Sequence, residues 1–183
     1  MQEDKSQLMN YAMYAGIFLG LFWMLKYLFV MGSTRIPALN LIGSFLTIGT
    51  PLILFYFLTK YKTDIVNNNM SYWHGVQFGI MLFFFASLLE AVIVFVHITW
   101  IDQAFVGKLY ENMVETVKMM NLSDRMVNSF ENQPLPTTMN YIFSNVILAD
   151  IFIGMFLSFF VVPIVLRFTP KNVKEPENQI KED

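Results

Sequence analysis

Four long apolar stretches separated by polar ones set the pattern of this chain: residues 11–31, 39–59, 73–100 and 141–168. Each holds at least the roughly 20 residues that a helix rising 1.5 Å per residue needs to cross a hydrocarbon core about 30 Å thick. Inside lipid the backbone must satisfy its own hydrogen bonds, so runs this long and continuous predict transmembrane helices. Residues 102–133 break the pattern. There Phe105, Leu109, Met113, Val117 and Met120 recur at three- and four-residue spacing between Lys108, Glu111, Asn112, Glu115 and Lys118, which predicts one amphipathic helix. Asn121 is placed to end it, Ser123 to cap a second short helix through Phe130, and Pro134 and Pro136 to stop the chain before the last span. The fold class is therefore all-α. It is an integral membrane four-helix bundle over residues 1–170, with an extracytoplasmic amphipathic helical segment, or lid, between spans three and four. Residues 171–183 read as a polar, disordered cytoplasmic tail.

The connections agree with this plan. Gly32 to Pro37 is short enough to force an antiparallel hairpin, with Ser33 or Thr34 able to cap the second helix and Pro37 acceptable in its first turn. Lys60, Lys62, Asp64 and the run Asn67, Asn68, Asn69 make a polar loop before Trp73, and Trp73 and Trp100 fall at the two headgroup levels of the third span. Pro51 and Pro163 are expected to kink their helices, with Thr47 or Thr50 rebinding freed carbonyls. The start carries Glu3, Asp4 and Lys5 rather than a basic cluster, and no small-x-small cleavage site follows, so the first run reads as a retained span.

Composition narrows the function classes. The chain is 55% hydrophobic and only 14% charged, against about 25% charged in a typical soluble domain. A net charge of −2 and the lack of a basic stripe exclude nucleic acid as a partner. No cysteine is present, which removes disulfides, thiolate nucleophiles and thiolate metal sites. No phosphate loop, dinucleotide fingerprint, H-E-x-x-H or G-x-S-x-G occurs, so neither an enzyme nor a cofactor is read here. The cations decide orientation. Lys5, Lys60, Lys62, Arg167, Lys171, Lys174 and Lys181 share one side, while Arg35, Lys108, Lys118 and Arg125 lie on the other among several acids. The excess near span ends marks the first side as cytoplasmic, giving a multi-pass inner-membrane protein with both termini inside.

Several short motifs carry a family likeness. They are Tyr61–Lys62 after the second span, Ser71–Tyr72–Trp73 at the entry to the third, Ile101, Asp102 and Phe105 at its exit, and the run from Met119 to Ser123. On these the chain resembles the bacterial domain-of-unknown-function family 4199, over nearly its whole length. It departs at Gln103, where a proline often follows the aspartate. The resemblance implies four spans with a helical segment between the third and fourth, and it brings no characterised activity.

The candidate chemistry lies inside the spans, at Lys26, Glu90, His97 and Asp150. An unpaired charge at membrane depth costs about 2.5–3.5 kcal/mol even on lenient scales, so each needs a partner or a wet cavity. Counted along antiparallel spans, Lys26, Glu90 and Asp150 share the outer half, and Glu90 and His97, seven residues apart, share a face. Gly16 and Gly20, and Gly154 and Ser158, are small residues four apart that permit close helix approach. Two readings follow. One is a structural or partner-binding membrane component, in which the charges form an interhelical network and the 102–133 segment meets another membrane or periplasmic protein. The other is a small oligomeric carrier or channel using the intramembrane carboxylates. Convergence of Glu90 and Asp150 on a cavity, rather than on a dry contact with Lys26, separates them. A metal site on Glu90, Asp150 and His97 lacks ligand spacing and is not assigned.

Overall fold

A computed structural model describes residues 2–33, 36, 38–120, 125, 128–129 and 132–168. Among these the chain is helical throughout, without strands. Helix α1 is Gln2–Ser33; α2 is Ala38–Leu46; α3 is Gly49–Lys60, continued by a π-helical turn Tyr61–Ile65; α4 is Tyr72–Val96, continued by a second π turn His97–Ile101. Helix α5 is Phe105–Met119, α6 is Thr138–Ile142, and a third π turn, Phe143–Leu148, leads into α7, Ala149–Phe168. Four stretches are long and apolar enough to span a membrane: Lys5–Ser33, Leu41–Ile65, Tyr72–Ile101 and Thr138–Arg167. The helices thus overrun the apolar runs, most clearly at the start of α1. A stripe on α7 fits lipid as its neighbour: Phe152, Phe156 and Phe160, four residues apart, stand 61%, 60% and 59% exposed, an apolar surface that water would penalise.

Helix α4 is the hub, packed along most of its length on α1 and α7, while α2 rests on α1 and α3 on α7. Lipid tails are as apolar as leucine, so association depends on close packing rather than on the hydrophobic effect. The centre is accordingly dense, with Leu19, Leu54, Leu82, Phe83, Val162 and Val165 fully buried. Trp23 Nε1 donates to Thr50 Oγ1 at 3.0 Å and ties α1 to α3.

The break between α2 and α3 follows from Pro51. Its missing N–H cannot serve the Thr47 carbonyl, which instead accepts from Thr50 N at 3.2 Å, while Thr47 Oγ1 donates to Gly43 O at 3.3 Å. Pro163, by contrast, lies inside a continuous α7, so the irregularity in the last span is the π turn upstream of it. Ser71 caps α4, accepting from His74 N at 3.3 Å, and Thr137 caps α6, accepting from Asn140 N at 3.3 Å. After the first π turn the chain reverses through Asn67 and Asn68 at φ 47° and 66°, the left-handed region that asparagine tolerates better than most residues.

Some expectations are corrected. Ser33 does not cap the second helix; it ends α1, and its hydroxyl donates to Val30 O at 2.6 Å. Part of the α5 stripe faces outward: Val117 is buried as expected, but Leu109 and Met120 are 41% and 63% exposed, while Val106, outside the stripe, is buried and Tyr110 packs on the lid-end core. Thr34, Arg35, Pro37, Asn121, Ser123 and the 171–183 tail lie outside the described residues, as does most of the second short helix expected to reach Phe130.

Candidate functional site

The spans have two recognisable ends. At the base end Lys62, only 4% exposed, donates to Val165 O at 3.2 Å and Leu166 O at 3.4 Å. It sets a positive charge against the carbonyls that finish α7. Beside it Tyr61 Oη lies 2.6 Å from His74 Nε2, and the Tyr11 and Tyr61 rings are 5.6 Å apart. His74 also lines an open polar groove of about 400 Å³ with Gln7, Asn67 and Asn69. At the lid end, where α1 finishes and α6 begins, Asp102 makes the exit turn: Oδ1 accepts from Ala104 N at 3.1 Å, and Lys108 Nζ lies 3.0 Å from Oδ2. The Lys108 ammonium holds the Asp102 carboxyl below its usual range. Gln103, where the resemblance led a proline to be expected, donates to Thr99 O at 3.1 Å, so the turn forms without a proline.

Four of the sequence-derived residues meet in the lid half. Glu90 on α4 and Asp150, in the first turn of α7, bring their carboxyl groups together at one cavity. Asp150 Oδ2 is buried where no N–H or hydroxyl reaches it. Lys26 is near enough for its charge to act on both acids. Its ammonium, however, sits over the Trp23 ring, 5.9 Å from the centroid, and among the described residues no ion pair joins it to either carboxyl. The arrangement is an acid–acid contact with the lysine at a distance. His97 is buried at 4% exposure, and its Nδ1 lies 2.7 Å from Tyr27 Oη.

Of these four, Glu90 and Asp150 line a half-enclosed cavity of about 180 Å³, together with Tyr27, Phe105, Tyr141 and Asn145. Phe105, the first residue of α5, covers it and packs on the His97 ring at 5.0 Å. Two of the π turns flank the cavity, one carrying His97 and the other Asn145; single π turns inserted in helices recur at functional sites. Tyr27, Tyr141 and Asn145 were not singled out from sequence, since a tyrosine or asparagine near a span end usually marks the interface. Their signal was depth: all lie at the level of Glu90 or one to two turns nearer the lid.

The small residues hold this geometry from below. A Cβ on Gly16 would come within 2.6 Å of Phe85 Cβ and 2.9 Å of Leu82 O, and one on Gly20 within 2.7 Å of Leu89 Cδ1, so α1 lies backbone-close on α4. On α7, Gly154 faces Phe83 and Ser158 faces Gly79, while Ser158 Oγ donates to Gly154 O at 2.6 Å. Spacing of α4 against α7 here decides whether Glu90 and Asp150 can touch one turn further on. Among the described residues no group of three His, Asp or Glu side chains is arranged to hold a metal ion.

Comparison with known proteins places the chain in one family. The model for the protein of unknown function family DUF4199 matches residues 10–166, and the chain belongs to that family. No curated protein and no solved structure matches it.

Proposed function

We propose that this member of the family is a small, non-enzymatic cation-handling protein of the bacterial inner membrane, in which the Glu90–Asp150 pair exchanges its proton for a cation arriving from the outer side. The observation that carries the reading is that the two acids converge on a cavity, with each other, rather than on a dry contact with Lys26. A purely structural ion pair would bring the lysine into contact, because removing a charge from water without a partner is costly. A proton held between two carboxyls is instead exchangeable. In this reading the lid end faces outward and the base end, with Lys5, Lys60, Lys62 and Arg167, faces the cytoplasm, in keeping with the positive-inside bias. Below the cavity the packing of Leu19, Leu82, Phe83 and Ala86 is dry, so the site is one-sided in this state. Passage across would require rearrangement or a second copy of the chain. A second reading, partner binding through the lid, draws on the exposed Leu109, Met119 and Met120 of the 102–133 segment.

Vesicles reconstituted with the purified protein and loaded with a pH-sensitive dye test the first reading. Wild-type protein is expected to dissipate an imposed proton gradient, and Glu90→Gln and Asp150→Asn to abolish this while remaining folded in detergent. Absence of any Glu90-dependent proton movement would overturn it and favour the partner-binding role.

A further inference from the structure

The walls of the lid-end cavity are of two kinds. One is the carboxyl pair; the other is aromatic, with Tyr27, Phe105 and Tyr141 all lining the space. Phe105 and Tyr141 stand nearly perpendicular, at 82° with centroids 6.4 Å apart, like adjoining walls of a box. Val94 and Val146 add methyl groups, and the Asn145 amide and the tyrosine hydroxyls are the remaining polar groups. Aromatic faces attract cations through the ring quadrupole and prefer weakly hydrated organic ones. A bare metal ion requires six or more oxygen ligands, or a strict set of nitrogens and sulfurs. Two carboxyls, an amide and phenol rings with valine between them match an alkylammonium ion better than either. The fold shows the same preference nearby, where the Lys26 ammonium lies over Trp23.

Size and charge agree. A cavity of about 180 Å³ has room for roughly six waters at about 30 Å³ each, hence for a ligand with about that many heavy atoms. It is well below the roughly 300 Å³ at which drug-sized pockets begin. Two carboxyls face one lysine that contacts neither, so the cluster is one positive charge short; a proton or a ligand cation can supply it.

We propose that the cavity enclosed by Glu90, Asp150, Tyr27, Phe105 and Tyr141 binds a small organic ammonium ion, its charge on the carboxyl pair and its alkyl groups against the rings. This rests on the cation-exchange reading of the acid pair and names the class of cation. The balance is simple: the shared proton leaves the carboxyl pair to solvent, the ammonium enters with its charge intact, and no covalent bond to carbon changes. Phe105 couples occupancy to the lid, since it lines the cavity and begins α5.

Purified wild-type protein in detergent would be titrated with methylammonium and tetramethylammonium, following the melting temperature and the heat of binding. Potassium serves as the inorganic comparator and tert-butanol as the uncharged one. A saturable stabilisation by at least one ammonium ion, absent with potassium and tert-butanol, is expected. Phe105→Ala should weaken it roughly tenfold, the loss of one good cation–aromatic contact, and Glu90→Gln should remove it. Should Glu90→Gln fold poorly, Tyr141→Ala supplies the second variant, with the same tenfold expectation. Equal responses to ammonium and tert-butanol, or none to any ammonium ion, would overturn the assignment. Failure here with Glu90-dependent proton movement intact in vesicles would overturn the ammonium ligand alone; failure of both would remove the exchange reading as well.

Discussion

At the scale of single residues, depth along antiparallel spans brought Lys26, Glu90 and Asp150 to one level, and burial cost argued that they should be partnered. Which of them touch was not legible. That depends on the azimuth of each helix, which Gly16, Gly20 and Gly154 set by close contact with α4, and a side-chain pattern alone leaves several azimuths open. Lys26 also had a competing partner, since the indole of Trp23, one turn back on α1, takes its ammonium. Asp102 stands in the sequence only as part of a family motif, yet its carboxyl both accepts from Ala104 N in the turn before α5 and pairs with Lys108. Its ionised form is favoured in the folded chain, principally by the hydrogen bond from Lys108, below the ordinary value of 3.8. A carboxyl with a depressed folded value contributes stability that is present above its unfolded value and lost as pH falls through the folded one. Amide exchange across residues 105–109 should therefore accelerate, relative to the span interiors, as pH drops below about 3.8. Asp102→Asn should show the faster exchange already at neutral pH and little further change on acidification. An unchanged pH profile in that variant would show that Asp102 is not the group responsible.

At the scale of elements, the four spans were legible because twenty apolar residues in a row have few alternatives. The break at Thr47–Ile48 was legible in outline from Pro51. The three π turns were not: Tyr61–Ile65, His97–Ile101 and Phe143–Leu148 contain neither proline nor glycine. Each adds a residue to one turn in response to what the helix packs against. One of them carries Asn145, which lines the cavity, and another carries His97 beside it, against Tyr27 and Phe105. Helix α5 shows the converse case, a correct element with its face misjudged. Of the expected stripe Val117 is buried and Leu109 is not, while Val106 is buried outside it, and Phe105 and Tyr110 pack against the lid-end core. Val117→Asp should thus expose the lid to limited proteolysis, speeding cleavage roughly tenfold, for a buried charge costs at least about 1–3 kcal/mol of local stability. Leu109→Asp, on a position already 41% exposed, should change it by less than about twofold. Equal acceleration by both would mean that the lid does not present the face described.

For the molecule as a whole, two apolar clusters divide the bundle. A large one runs from Leu8 through Leu54, Phe83 and Val165, and a smaller one around Val94, Ile98, Tyr141 and Val146 lies under the lid. In the proposed reading the larger cluster seals the cavity from the base end and a cation enters from the lid end. Whichever compartment the lid faces is therefore the compartment from which a cation reaches Glu90 and Asp150. The contacts of Lys62 with the end of α7 and of Tyr61 with His74 gather Lys5, Lys60, Lys62 and Arg167 at the base end, a concentration that favours retention in the cytoplasm during insertion. The absence of native cysteine makes the test direct. In intact cells a membrane-impermeant maleimide should label Asn112→Cys on α5, whereas Lys5→Cys on α1 should react only after permeabilisation. The opposite pattern would invert the bundle, place the cavity mouth in the cytoplasm and turn the proposed site into one that takes its cation from inside the cell.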